Sequence, residues 1–187
     1  KYEQAIEEYN RVIELDSEYT NAYFFRGIIH WNLGKYEQAL EDYDRVIQIN
    51  PKHAVAYNNR GDSYLKLGQY EQAIENYEQA IQLDPEFAHA YNNQGSAYLF
   101  LGQSGQAIEN YKQAIQINRE YAEAYYNRGR VYQSLSKYEQ AIKDYNQAVL
   151  LDSEYIDAYN NRGYAYQKLG HYEKATDDFE KIIQLTS

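Results

Sequence analysis

The chain has no cysteine and no methionine, and only two prolines and one tryptophan in 187 residues. Without cysteine there can be no disulfide, no thiol nucleophile and no thiolate metal site. The same absence fits a reducing compartment, so the expected location is the cytoplasm. No run approaches the eighteen or so apolar residues of a membrane helix, which excludes membrane insertion. Basic residues are scarce: 18 Lys and Arg stand against 28 Asp and Glu, a net charge of −10. Nucleic-acid binding rests on phosphate neutralisation by Lys and Arg, so nucleic acid is excluded as a partner. The acidic balance instead keeps a long exposed surface in solution. The chain opens at Lys1, inside a structural unit and without an initiator Met, so a targeting segment would lie outside these residues.

What the chain does have is tyrosine, 24 of them, placed by a strict period. Gly27, Gly61, Gly95, Gly129 and Gly163 are each 34 residues apart. Tyr23, Tyr57, Tyr91, Tyr125 and Tyr159 keep the same step, as do Ala39, Ala73, Ala107, Ala141 and Ala175. A fixed period of this length marks a solenoid, whose units bury their apolar faces by stacking on their neighbours. Its core is one continuous strip, so a single domain over 1–187 is expected. Nineteen of the tyrosines fall at four repeat positions, those of Tyr57, Tyr64, Tyr70 and Tyr77. That regularity assigns them to the packed layer rather than to a cofactor box.

Helical spacing predicts an all-α chain of eleven helices. Residues 1–19 supply the second helix of a half repeat, and five hairpins follow over 20–53, 54–87, 88–121, 122–155 and 156–187. First helices are expected at 20–33, 54–67, 88–101, 122–135 and 156–169. Second helices are expected at 36–49, 70–83, 104–117, 138–151 and 172–185. Pro51 and Pro85 stop two of the second helices. Ser17, Arg119 and Ser153 stand at the corresponding places, where packing is expected to set the stop.

The unit Tyr57, Gly61, Tyr64, Ala73, Tyr77, Ala80 and Pro85 closely resembles the tetratricopeptide repeat, in order and in length, over essentially the whole chain. The resemblance implies a right-handed α-α superhelix whose first helices line a concave groove for extended peptides or partner helices. It is specific for fold and nearly silent on biological role.

Chemistry finds little foothold. Gly27 and Gly34-Lys35 are too far apart for a phosphate loop, and no Ser or Thr follows. Nine of the ten glycines sit at the positions of Gly61, where helices approach closely, and Gly68, which ends the first helix. Gly105 is the exception: Ser104-Gly105 stands where other units read Tyr-Glu, so the third hairpin lacks one packing aromatic. His30, His53, His89 and His171 occupy four different repeat positions, which gives no metal or catalytic constellation. No nucleophile–base pair or buried carboxylate dyad is evident. The expectation is a non-enzyme without cofactor or metal.

The first helix separates into two stripes. Ala56, Tyr57, Tyr64 and Leu67 take the core side, and Val55, Asn58, Asn59, Asp62 and Lys66 the opposite side. On that opposite side Asn59, Asn93, Asn127 and Asn161 share one repeat position, and Asn58, Asn92 and Asn160 the residue before it. The asparagine row resembles the ladder in the arm of O-linked N-acetylglucosamine transferases, where amides hold a peptide main chain. Asn is a mediocre helix former, so repeating it in mid-helix costs stability; inheritance by repeat duplication is the competing explanation. The family's carboxylate clamp, as in co-chaperones, needs Lys and Arg where this chain has Phe24, Asn58, Asn92, Tyr126 and Asn160, and is rejected. Lys66, Arg130 and Lys168 balance Asp62, Glu123 and Asp157, which leaves that side neutral. In the first full hairpin Phe24 and Phe25 replace the Asn pair, with Ile28 and Trp31 following. Such aromatic clusters mark binding sites or surfaces covered by another unit or molecule.

These features predict a non-catalytic scaffold that binds an extended peptide in the groove. The binding residues would be Asn58, Asn59, Asn92, Asn93, Asn127, Asn160, Asn161, Phe24, Phe25, Ile28, Trp31, Lys66 and Arg130. A recruiting arm of a larger multidomain enzyme and an end-to-end self-assembly module are the alternatives. Two further expectations are structural. Arg26, Arg60, Arg128 and Arg162 lie in the core stripe and need partners. Candidates are Asp42, Asp144 and Asp178 of the same hairpins, or Glu8, Asp42 and Asp144 of the preceding ones. Phe179 and Ile182 should be partly uncovered, as should Tyr2 or Tyr9 at the other end, which would favour weak self-association.

Overall fold

The computed structural model describes residues 1–186 as eleven α-helices. They are α1 (Tyr2–Leu15), α2 (Thr20–Asn32), α3 (Tyr36–Ile49), α4 (Ala54–Lys66), α5 (Tyr70–Leu83), α6 (Ala88–Phe100), α7 (Ser104–Ile117), α8 (Ala122–Ser134), α9 (Tyr138–Leu151), α10 (Ile156–Lys168) and α11 (Tyr172–Thr186). Every predicted helix is present with its predicted start. Two compact units divide the chain inside the third hairpin, one running from Lys1 to Leu101 and the other from Gly102 onward.

Within each unit the turns are built by local chemistry. Each first helix ends one residue earlier than expected, and in four of the hairpins its last turn closes as a Schellman motif. In the second hairpin Gly68 takes φ +75° and the Gln69 N–H reaches back to the Tyr64 carbonyl at 2.9 Å. The same bond joins Lys35 to His30 and His171 to Tyr166, both at 2.9 Å, and Lys137 to Tyr132 at 2.8 Å. The fourth hairpin makes its turn with Ser136 at φ 58° instead of Gly. A Cβ in this region is strained, so Ser136→Gly is expected to stabilise the protein by about 1 kcal/mol, read as a higher urea midpoint.

Second helices stop by a device the sequence reading missed. Asp16, Asn50, Asp84, Asn118 and Asp152 each accept a hydrogen bond from the backbone N–H two residues on, at 2.9–3.2 Å. These Asx turns end all five helices, with Pro or without it. Packing is therefore not what distinguishes the units that carry Ser17, Arg119 and Ser153.

Tyr43 and Tyr77 are buried in the first unit, and Tyr111 and Tyr145 in the second. The approach is close enough that a Cβ on Gly61 would stand 2.7 Å from Tyr77, and one on Gly129 2.7 Å from Tyr145. Phe179 and Ile182 are half-buried, as is Tyr9, while Tyr2 is exposed.

The core arginines choose partners within the hairpin. Arg26 Nε donates to Asp42 at 3.0 Å, Arg128 Nε to Asp144 at 2.8 Å and Arg162 Nε to Asp178 at 2.9 Å. Arg60 Nε finds the Asn76 carbonyl oxygen at 2.7 Å. A second contact reaches the preceding hairpin, but not at the residues expected. Arg26 donates to Asn10, Arg60 to Asp44 and Arg162 to Asn146. Each of these three guanidiniums therefore bridges the residues 16 before and 16 after itself, tying two hairpins together. The residue 16 before Arg128 is a lysine, Lys112, which pairs with Glu109.

Candidate peptide-binding face

The residues predicted to bind lie on α2, α4 and α6 of the first unit and on α8 and α10 of the second. Each unit carries its own cluster.

In the first unit the two asparagine rows separate. Asn58 and Asn92 are buried, whereas Asn59 and Asn93 are half-buried. The expectation that both rows line the open side fails for Asn58 and Asn92, which are buried and bonded within the protein. Asn58 donates to Asp62 at 3.3 Å and to the Asn59 side-chain oxygen at 3.3 Å. Asn93 donates to Asn58 at 3.2 Å and to Asp62 at 3.0 Å, crossing from one repeat to the next. Asn59 makes a side-chain hydrogen bond with Tyr43. An amide has two N–H donors and two acceptor lone pairs, so Asn59 keeps one of each for a ligand.

Asp62 is the hub of this network, a role that sequence reasoning did not give it. Its carboxylate accepts from Tyr77 Oη at 2.7 Å as well as from Asn58 and Asn93. Burial pushes its pKa up to about 6, against the opposing pull of the Tyr77 hydrogen bond and the Lys66 charge. Burial, followed by the Asp62 charge, holds the Tyr77 hydroxyl well above its ordinary value. A sequence signal did exist. The repeat position of Asp62 holds Ile28, Ser96, Arg130 and Tyr164 in the other hairpins, so it is the row's one carboxylate.

The aromatic cluster adjoins this network. Phe25 is 46% exposed, the most open of the four predicted residues, and it stacks with Tyr9 at 6.3 Å. Phe24 is half-buried against Phe25, Tyr43 and His53. Ile28 and Trp31, with Tyr43, Asn59 and Asp62, line a cavity of about 180 Å³. The Trp31 indole nitrogen is buried without a hydrogen-bond partner. Lys66 Nζ stands 5.8 Å from the centre of its ring, within cation–π range.

In the second unit Asn127 is buried, Asn160 is exposed, and Asn161 is half-buried and donates to Tyr126 Oη at 3.1 Å. The Tyr126 ring lies 4.8 Å from Tyr155 and 5.7 Å beneath the guanidinium of Arg130, which is exposed. Burial raises the Tyr126 hydroxyl pKa, with Arg130 opposing.

The histidines serve local ends. His30 bonds Asp42 at 2.9 Å, His53 accepts from the Ala56 N–H at the start of α4, and His171 packs edge-on against Tyr166. Among the described residues no His, Asp and Glu side chains gather as a metal site, and no helix is long and apolar enough to cross a membrane.

Comparison with known proteins follows the same lines. The family described as TPR repeat matches residues 1–34, 32–68, 61–102, 95–136 and 129–170, and that described as tetratricopeptide repeat matches 156–185. No curated protein matches significantly. The crystal structure of MamA protein is similar at 30% identity and a TM-score of 0.76, over 90% of this chain and 92% of that one. MamA from Desulfovibrio magneticus RS-1 is 22% identical with a TM-score of 0.77, over 89% and 94%. YrrB, described as a TPR protein with an unusual peptide-binding site, is 22% identical with a TM-score of 0.70, over 95% and 91%.

Proposed function

The chain belongs to the tetratricopeptide repeat family, and from that premise we propose that it is a protein–protein interaction scaffold whose first-helix faces bind an extended peptide. The family is a scaffold family, and one neighbour of the same fold carries a peptide-binding site. The observation that carries the reading is the sorting of the asparagines. Asn58 and Asn92 are buried and bond internally, while Asn59 is half-buried with an N–H and a lone pair to spare, and Asn93, one repeat on, keeps a lone pair, beside an exposed Phe25.

The division of labour follows from magnitudes. An amide offers a donor and an acceptor to each peptide unit without reading its side chain. Each such bond contributes about 0.5–1.5 kcal/mol net, which gives modest and sequence-tolerant affinity. Selectivity comes from an apolar side chain laid on Phe24 and Phe25, worth roughly 1.5–3 kcal/mol. In the second unit Asn127, Asn160 and Asn161 flank Arg130, whose guanidinium orients an acidic residue of the partner. The peptide is near neutral overall, as the balanced charges of this face require.

A library of N-acetylated, C-amidated peptides tests this. Asn59→Ala with Asn93→Ala should weaken selected peptides broadly, by about tenfold for two lost bonds. Phe25→Ala should change which peptides are selected. Peptides whose binding survives both changes would place the site elsewhere.

A further inference from the structure

The cavity beside Asp62 combines features that neither the asparagines nor the aromatic patch explain. It is lined by Ile28, Trp31 and Tyr43 together with the Asn59 amide and the Asp62 carboxylate. At about 180 Å³ it has room for one side chain of a partner. Asp62 has no guanidinium partner, in contrast to Asp42, Asp144 and Asp178. Lys66 is the nearby cation, and it stands over the Trp31 ring.

From this arrangement we propose that the cavity takes the side chain of a lysine in the bound peptide, its ammonium on Asp62 and its stem between Ile28 and Trp31. The proposal rests on the peptide-binding reading above and names the chemistry of one partner residue.

Geometry favours lysine over arginine. Asp62 Oδ1 already accepts from Tyr77 and Asn93, while Oδ2 accepts only from Asn58, at 3.3 Å. One open oxygen suits a point charge; a guanidinium fork needs both. The walls suit the stem, since lysine lays its methylenes along apolar surface and its head on a polar group. The faces of Trp31 and Tyr43 add cation–π attraction. The net charge of −10 draws a cationic segment toward the protein.

Two consequences separate this from a merely structural carboxylate. Lys66 competes for the site, so its removal should tighten binding; were Lys66 itself a ligand-binding residue for acidic partners, removal would loosen it. Binding should also fail in acid, as the Asp62 carboxylate, with its pKa at about 6, takes up a proton. The other titratable groups facing it are Tyr77 from α5, Tyr43 from α3 and Lys66 from α4, and both tyrosines stay neutral across that range. Burial raises both tyrosine hydroxyls further above it.

Trp31 is the chain's one tryptophan, so its fluorescence reports on the cavity alone. The probes are n-pentylammonium and 1-pentanol, alike in length and different in charge. At pH 7.5 the ammonium should bind at least tenfold more tightly than the alcohol. Asp62→Asn should abolish the difference, and Lys66→Gln, which leaves the carboxylate and its bonds in place, should tighten the ammonium several-fold. At pH 5 the preference should be largely gone. Equal binding of the two probes to the unaltered protein overturns the site, as does weaker ammonium binding by Lys66→Gln. The peptide library supplies a separate arm. Selected peptides that depend on Asn59 and Phe25 but show no enrichment of lysine over norleucine or arginine overturn the lysine assignment and leave the peptide reading standing. Ammonium binding without any selected peptide has the reverse meaning: the pocket is real, but its occupant is not a peptide lysine.

Discussion

Replacing Asp42 by Ala should destabilise the protein by about 3–5 kcal/mol, the loss typical when a buried charge is left without its partner. The Asp42 side chain is 2% exposed and Arg26 20% exposed, and both the Arg26 guanidinium and His30 Nδ1 bond to it. Removing the carboxylate therefore strands two polar groups between α2 and α3. It also weakens the bridge to Asn10 on α1, because the guanidinium loses the partner that orients it. Urea unfolding followed by far-UV circular dichroism measures the effect. Glu8→Ala is the control: its pair with Arg11 has both side chains about two-thirds exposed, at 67% and 69%, and is worth about 1 kcal/mol or less. The double replacement Arg26→Leu with Asp42→Leu should recover only part of the loss: an apolar pair can replace a buried ion pair without cost, but His30 Nδ1 still lacks its partner. Equal stability of Asp42→Ala and the unaltered protein would show that the guanidinium clasp contributes nothing.

Asp62→Asn should act in the opposite direction and stabilise the protein at neutral pH. The folded-state pKa of Asp62 is pushed up to about 6 from an ordinary 3.8. Between those values the folded state binds the proton more tightly than the unfolded chain. Stability therefore falls as pH rises from about 4 to about 6, then levels off. Two units at 1.36 kcal/mol each set the scale, about 2–3 kcal/mol at pH 7. The asparagine side chain can still accept from Tyr77 and carries no charge to desolvate. The variant should thus have the higher urea midpoint at pH 7.5, with the gap narrowing toward pH 4. A gap that is constant with pH, or of the opposite sign, would remove burial of the charge as the cause. The position accordingly combines a stability cost with a place at a cavity, which is the usual pattern for residues kept for binding.

How much of this was legible beforehand depends on whether a feature repeats. The 34-residue step locates every helix start, because tyrosine, glycine and alanine each mark the same packed layer five times over. The Asx turns were equally periodic, at Asp16, Asn50, Asp84, Asn118 and Asp152, but attention to proline hid them. The arginine partners needed geometry: residues 16 and 18 before each Arg differ by half a helical turn, which spacing alone did not resolve. The splitting of the asparagine rows is likewise tertiary. Asn58 and Asn59 are neighbours in sequence, yet packing between helices buries the first and leaves the second half-buried. Asp62 was hardest to find, because what matters about it is a break in the repeat rather than the repeat itself.

The central claim is that the first-helix face of the first unit holds a peptide main chain. The most direct measurement is a crystal structure of the protein with its best library-selected peptide. The account predicts an extended peptide with backbone hydrogen bonds to the Asn59 and Asn93 amides and an apolar side chain on Phe25. A peptide seated on the outer faces of the second helices, with Asn59, Asn93 and Phe25 untouched, would contradict it.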